Sequence, residues 1–121
     1  HKGYPENSVT LLCDGILTEK ADDAAEIHNT DTSRDTGNNR YLYSNIRAWL
    51  NSNTTSWYSA KHTHDAPPTL ASCNNRSEYQ TESGFLTNFS ANFTNAIMST
   101  SLTLNKYHQK IGRDFSRCVL Y

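Results

Sequence analysis

The strongest constraint on this chain is the confinement of its apolar residues to short clusters. Val9-Thr10-Leu11-Leu12, Ile16-Leu17, Ile46 to Leu50, Phe85-Leu86, Phe93 to Met98 and Val119-Leu120 carry most of the large aliphatic side chains. Between them lie stretches dominated by Asn, Ser and Thr, which number 13, 13 and 14. These side chains bond nearby backbone groups and so favour turns and caps over long regular elements. A chain patterned this way builds its core from a few short pieces joined by hydrated loops. Its 121 residues suit one domain spanning residues 1–121, able to bury roughly two-thirds of its unfolded surface. With 36% hydrophobic and 11% aromatic residues, it carries enough apolar material to fold.

Ser8 to Cys13 reads as a buried strand, Asp14-Gly15 as a turn and Ile16 to Glu19 as a second short strand. Residues 20–40 read as a long polar loop with a helical turn around Ala21 to Ile27. The clearest helix is Ser44 to Asn51, because Ser44 can cap it and Ile46, Trp49 and Leu50 form one apolar stripe. Asn51 to Thr55 stops that helix, and Trp57-Tyr58 is expected to pack back on the same core. His62 to Pro68 is an irregular turn, since Pro67-Pro68 can continue neither a helix nor a central strand. A second helix is expected over Ser90 to Met98 with Phe93 and Ile97 facing inward. Ser101 to Leu104 and Asp114 to Tyr121 read as strands, the last one stopping with the chain.

The net charge of -1 and the scattered basic residues give no face suited to phosphate. Lys106, Lys110, Arg113 and Arg117 form the one basic group, and it reads as a solvated edge, so no nucleic acid partner is expected. No run approaches the roughly 20 apolar residues of a membrane-spanning helix, and no stretch of this sequence reads as a signal peptide. Beginning at His1, the sequence reads as a processed or excised segment. Cys13, Cys73 and Cys118 are odd in number and widely spaced. They fit one disulfide plus a free thiol, or three reduced cysteines.

The run Asn38-Asn39-Arg40-Tyr41-Leu42-Tyr43-Ser44-Asn45-Ile46-Arg47-Ala48-Trp49-Leu50-Asn51 resembles an uncharacterised domain family of gut bacteria and their phages. His1 to Pro5, Ser8 to Leu12, Trp57 to Ala60, Asp65 to Pro68, Gly84 to Leu86 and Phe89 to Ala91 match it in order, as far as about Leu104. The resemblance implies an α+β, C-type-lectin-like fold akin to formylglycine-generating enzymes. Two short helices would lie on a small, mostly antiparallel sheet among many loops. That family's later Trp-Trp-Leu-Arg-Ser type segment and closing Val-Arg-Pro strand do not occur here. The resemblance therefore implies an N-terminal half, a domain incomplete at its C-terminus. It also implies a surface or phage-tail setting, outside the cell.

His62-Thr63-His64-Asp65 is the most suggestive cluster, because alternate residues of an extended segment would put both imidazoles on one side. A third ligand is not identifiable, and a hydrated turn capped by Asp65 is the plainer reading, so no metal site is assigned. Asp14, Asp22, Asp23, Asp31 and Asp35 could supply oxygens to calcium, but they lack the twelve-residue loop with its central Gly and closing Glu. No cofactor follows. There is no Gly-rich phosphate loop, no nucleophile elbow and no fixed base beside a cysteine, so no catalytic residue is assigned and an enzyme is not expected.

The expectation is a non-enzymatic recognition or adhesion module that binds a host-surface glycan or protein through polar loops. The residues expected to contact ligand are Asn38, Asn39, Arg40, Trp57, Tyr58, His62, His64 and Asp65. The alternative is an assembly protein whose incomplete strands pair between copies into a homo-oligomer.

Overall fold

The computed structural model describes residues 5–38 and 40–99. Among them there are two short α-helices, α1 (Asn45–Leu50) and α2 (Ala91–Ala96). Three 3-10 turns, Thr32–Arg34, Tyr41–Tyr43 and Phe85–Asn88, complete the regular structure. No strand occurs among the described residues. The expected α+β, C-type-lectin-like arrangement on an antiparallel sheet is therefore overturned for this part of the chain.

The reason is visible at the N-terminal end. Residues 8–13 and 16–19 carry the β-prone residues but form no ladder with any other described residue, and a strand without a ladder leaves its N–H and C=O groups to water. Instead of lying buried, Val9 is 86% exposed and Ile16 94%, with Leu11, Leu12 and Leu17 also exposed. The strands expected at 101–104 and 114–121 lie outside the described residues, as does the basic group at 106–117. No helix among the described residues is long and apolar enough to cross a membrane.

Helix α1 forms where the capping and stripe pattern puts it. Ser44 Oγ accepts the Arg47 N–H at 3.3 Å, and the Asn51 N–H closes the far end on Arg47 and Trp49 carbonyls. Its Ile46, Trp49 and Leu50 join Trp57, Tyr79 and Phe85 in the core. Trp57 stacks on Tyr79 at 5.3 Å between centroids, while Trp49 meets Tyr79 edge-on at 5.7 Å. The polar ends of these rings fasten the surrounding loops, as buried Trp and Tyr require. Trp49 Nε1 donates to the Ser83 carbonyl at 3.0 Å, Trp57 Nε1 to Glu82 at 3.0 Å, and Tyr79 Oη to Ala21 at 2.7 Å. Glycine is required at 84, because a Cβ there would stand 2.3 Å from the Ser52 carbonyl oxygen.

Helix α2 is capped as expected, with Ser90 Oγ accepting the Phe93 N–H at 3.3 Å. It differs in its surroundings. Phe93 and Ile97, expected to face inward, are about two-fifths exposed. Phe93 stacks on Phe89 at 4.8 Å, and Phe89 in turn meets the core ring Phe85 at 5.3 Å.

The polar loop of residues 20–40 is also not what its composition suggests. No helical turn forms at 21–27. Ala24, Ala25 and Glu26 are buried, the last with only 2% of its surface exposed. Glu26 is satisfied by Asn29 Nδ2 at 2.6 Å and by the Arg34 guanidinium at 3.4 Å, as a buried carboxylate requires.

Candidate functional site

An open cleft of about 970 Å³ is walled by residues from segments 19–23, 36–38 and 72–77. Each wall is tied down by hydrogen bonds that cross between segments. The Ala21 N–H donates to Ser77 Oγ at 2.8 Å, and the Ala25 N–H to the Ser72 carbonyl at 2.8 Å. The Asn38 N–H donates to Asp23 Oδ2 at 2.8 Å. Gly37 makes this last approach workable. Its φ of +93° lies in the left-handed region, and a Cβ would sit 2.7 Å from the Ala24 carbonyl oxygen.

Asp23 is the hinge between the cleft and α1. Its Oδ1 accepts the Asn45 N–H at 2.9 Å, and Asn45 Oδ1 returns the bond by accepting from the Ala24 N–H at 2.7 Å. The Ile46 N–H donates to the Asp22 carbonyl at 3.0 Å. Both Asp23 oxygens are thus committed to backbone. Asp22 is different: among the described residues its carboxylate makes no hydrogen bond and no ion pair. Burial pushes Asp22 up to about 6. Burial does the same to Asp23, also to about 6, with the neighbouring Asp22 and Asp65 charges adding to it against the two N–H donors.

Other groups add to the cleft's chemistry, among them Arg76, Asn38, Cys73 and Lys20. Asn38 is 3% exposed, and its Nδ2 has no hydrogen-bond partner; its Oδ1 accepts the Arg40 N–H at 2.9 Å. Burial pushes the Cys73 thiol up, which keeps it from becoming a nucleophilic thiolate. Lys20, on the rim, is engaged with Glu82 at 2.6 Å and lies over the Trp49 and Tyr79 rings at 5.5 and 5.6 Å. The set can hold hydrogen-bonding groups, and it offers no activated nucleophile.

The residues singled out from sequence are divided by the structure. Asn38 lies in the cleft wall. Asn39 lies outside the described residues. Arg40 is exposed and precedes the 3-10 turn Tyr41–Tyr43. Trp57 is a core residue, 7% exposed. Tyr58 and Asp65 line a separate pit of about 30 Å³, room for a water or two. Burial pushes Tyr58 up, and the Asp65 and Asp23 charges add to the effect.

Asp65 caps its own turn. It accepts the Lys61 N–H, the His62 N–H at 2.9 Å and a contact from His62 Nδ1 at 3.1 Å. The exposed His62 ring also lies edge-on to Tyr43 at 4.7 Å. His64 is half-buried nearby. Among the described residues no group of three or more His, Cys, Asp or Glu side chains could hold a metal ion. Asp31, one of the acids considered for calcium, accepts from Ser33 at the start of the Thr32–Arg34 turn. Cys13 and Cys73 are both free, the first exposed and the second buried.

Sequence reasoning missed Asp22, Thr36, Cys73, Arg76 and Ser77 as cleft residues, since nothing local joins segments 13 or more positions apart. The signal within reach was Asp22-Asp23 beside the small pair Ala24-Ala25, a sign of acids next to a buried turn.

No curated protein and no solved structure matches the chain. A family model described as a domain of unknown function, DUF6273, matches residues 7–118. The match passes Leu104, where the likeness was expected to fade. With nearly the whole chain inside that match, the protein belongs to the DUF6273 family, an uncharacterised domain family.

Proposed function

We propose that this domain is a non-enzymatic recognition module whose cleft binds a glycan. The observation that carries the reading is the cleft itself, about 970 Å³ of open space faced by acids, amides and hydroxyls on loops pinned to one another. Sugar hydroxyls both donate and accept, so they are matched by carboxylates that accept and amides that donate, held in place beforehand. On this reading the domain works outside the cell, at a bacterial surface or on a phage particle, where glycans are met. Screening the intact chain on a glycan array tests it. Binding that is lost when Asp22 and Arg76 are both replaced by Ala, with the fold retained by circular dichroism, supports the reading; silence across the array overturns it.

A second reading is favoured by one observation, the exposed apolar run from Val9 to Leu17. Unpaired β-prone backbone is a template for another chain, so copies of this protein would assemble through it. Size-exclusion chromatography with light scattering decides. A monomer at high concentration removes assembly, and a concentration-dependent oligomer broken by Leu11→Lys supports it.

A further inference from the structure

An aromatic ladder runs from the core to the surface and ends uncovered. Phe85 is buried in the core, Phe89 meets it edge-on at 5.3 Å, and Phe93 on α2 stacks on Phe89 at 4.8 Å. Phe89, Phe93, Ile97 and Met98 are each 37–48% exposed. Single exposed apolar side chains are ordinary. Four within ten positions, two of them stacked on each other, mark a surface that a partner covers. None of these residues lines the cleft, so the ladder is independent of the glycan reading.

The order of residues after α2 names the occupant. The helix ends at Ala96, and Ser99-Thr100-Ser101 follows, three residues whose hydroxyls bond nearby backbone and favour a change of direction. Next comes Leu102-Thr103-Leu104, where apolar and polar residues alternate. Alternation puts both leucines on one side of an extended segment. Three residues of extended chain span about 10 Å and the six of α2 about 9 Å, so a segment turning back past Met98 can lay both leucines along the helix. The short tether also gives it an effective concentration of roughly millimolar at the ladder, which favours it over a second copy. The family model runs on to residue 118, so Leu102 and Leu104 belong to the same domain as the ladder.

We propose that Leu102 and Leu104 dock on the Phe89–Phe93 ladder of their own chain and close the core on that side. Two aliphatic side chains against two rings take apolar surface out of water, which is the driving force for the contact.

The test is NMR on the full 121-residue chain with labelled Leu methyls and Phe rings. The expected result is nuclear Overhauser contacts from the Leu102 and Leu104 methyls to the Phe89 and Phe93 rings. Amide exchange at residues 102–104 should be slowed about tenfold or more against a free peptide of that sequence. In a mixture of labelled and unlabelled chains the contacts stay within one chain. Contacts that pass between chains give the ladder to a second copy and overturn the proposal. Rings without contact to either leucine, and amides at 102–104 exchanging at the peptide rate, overturn it as well. Thermal unfolding supplies a second readout. Leu104→Ala and Phe93→Ala should each lower Tm, and the double variant should lose less than the sum of the two, because one contact is removed twice. Additive losses overturn the docking.

Discussion

Replacing Asp22 by Asn should stabilise the protein at neutral pH and leave it unchanged in acid. Burial moves this carboxyl from 3.8 to about 6, with no hydrogen bond to oppose it. Taken whole, a displacement of that size corresponds to about 3 kcal/mol at 1.36 kcal/mol per pH unit. The group is partly solvated, so about 1–1.5 kcal/mol is the expected share. The sign follows from proton linkage. The folded carboxyl holds its proton more tightly than the unfolded one. Below the unfolded value of 3.8 both states are protonated and there is no penalty. As pH rises from there to about 6 the unfolded chain ionises first and stability falls. Above that window the full penalty is present.

An amide of the same shape avoids the penalty. In thermal unfolding followed by tryptophan fluorescence, Asp22→Asn should raise Tm by roughly 4–6 °C at neutral pH and by nothing measurable near about pH 3.5. A lower Tm at neutral pH, or the same gain at both, would refute the claim that an unpaired, half-buried charge sits there.

Other outcomes follow from the packing. Gly84→Ala would bring a Cβ to 2.3 Å from the Ser52 carbonyl oxygen, with the Leu86 N–H to Ser52 bond at 2.9 Å in the same contact; a loss of about 2–3 kcal/mol is expected in urea unfolding. Trp57→Phe removes the Nε1 donor to the Glu82 carbonyl and part of the stack on Tyr79, for a cost of about 2 kcal/mol by the same assay. Thiol labelling of the native protein with peptide mapping should modify exposed Cys13 quickly and buried Cys73 slowly, because burial keeps the Cys73 thiol protonated.

What the sequence made legible was local. Ser44 and the stripe of Ile46, Trp49 and Leu50 specify α1 within six residues, and Ser90 specifies the start of α2 in the same way. Trp57 was expected both to pack on the core and to contact ligand, and it is a core residue, 7% exposed. What failed was non-local. Val9 to Leu12 has the composition of a strand, but a strand exists only with a partner, and no spacing within that run says whether one is there. Periodicity puts Phe93 and Ile97 on one helix face, but α2 ends at Ala96 and Ile97 is already extended; where a helix stops and what covers it are not written in the period. The cleft was invisible for the same reason, since Asp22, Asn38 and Cys73 meet only after folding. Glu26 falls in the stretch read as a long polar loop and is buried, because its partners Asn29 and Arg34 lie within the same loop and supply the charge and donor it needs.

The central claim is that the polar cleft, and not the His62–Asp65 turn, meets the ligand. Titrating the isotope-labelled chain with chito-oligosaccharides and following backbone amide shifts by NMR tests it most directly. The account predicts that the moving amides fall in segments 19–23, 36–38 and 72–77. Shifts confined to Tyr58 and residues 61–65, or none at saturating sugar, would contradict it.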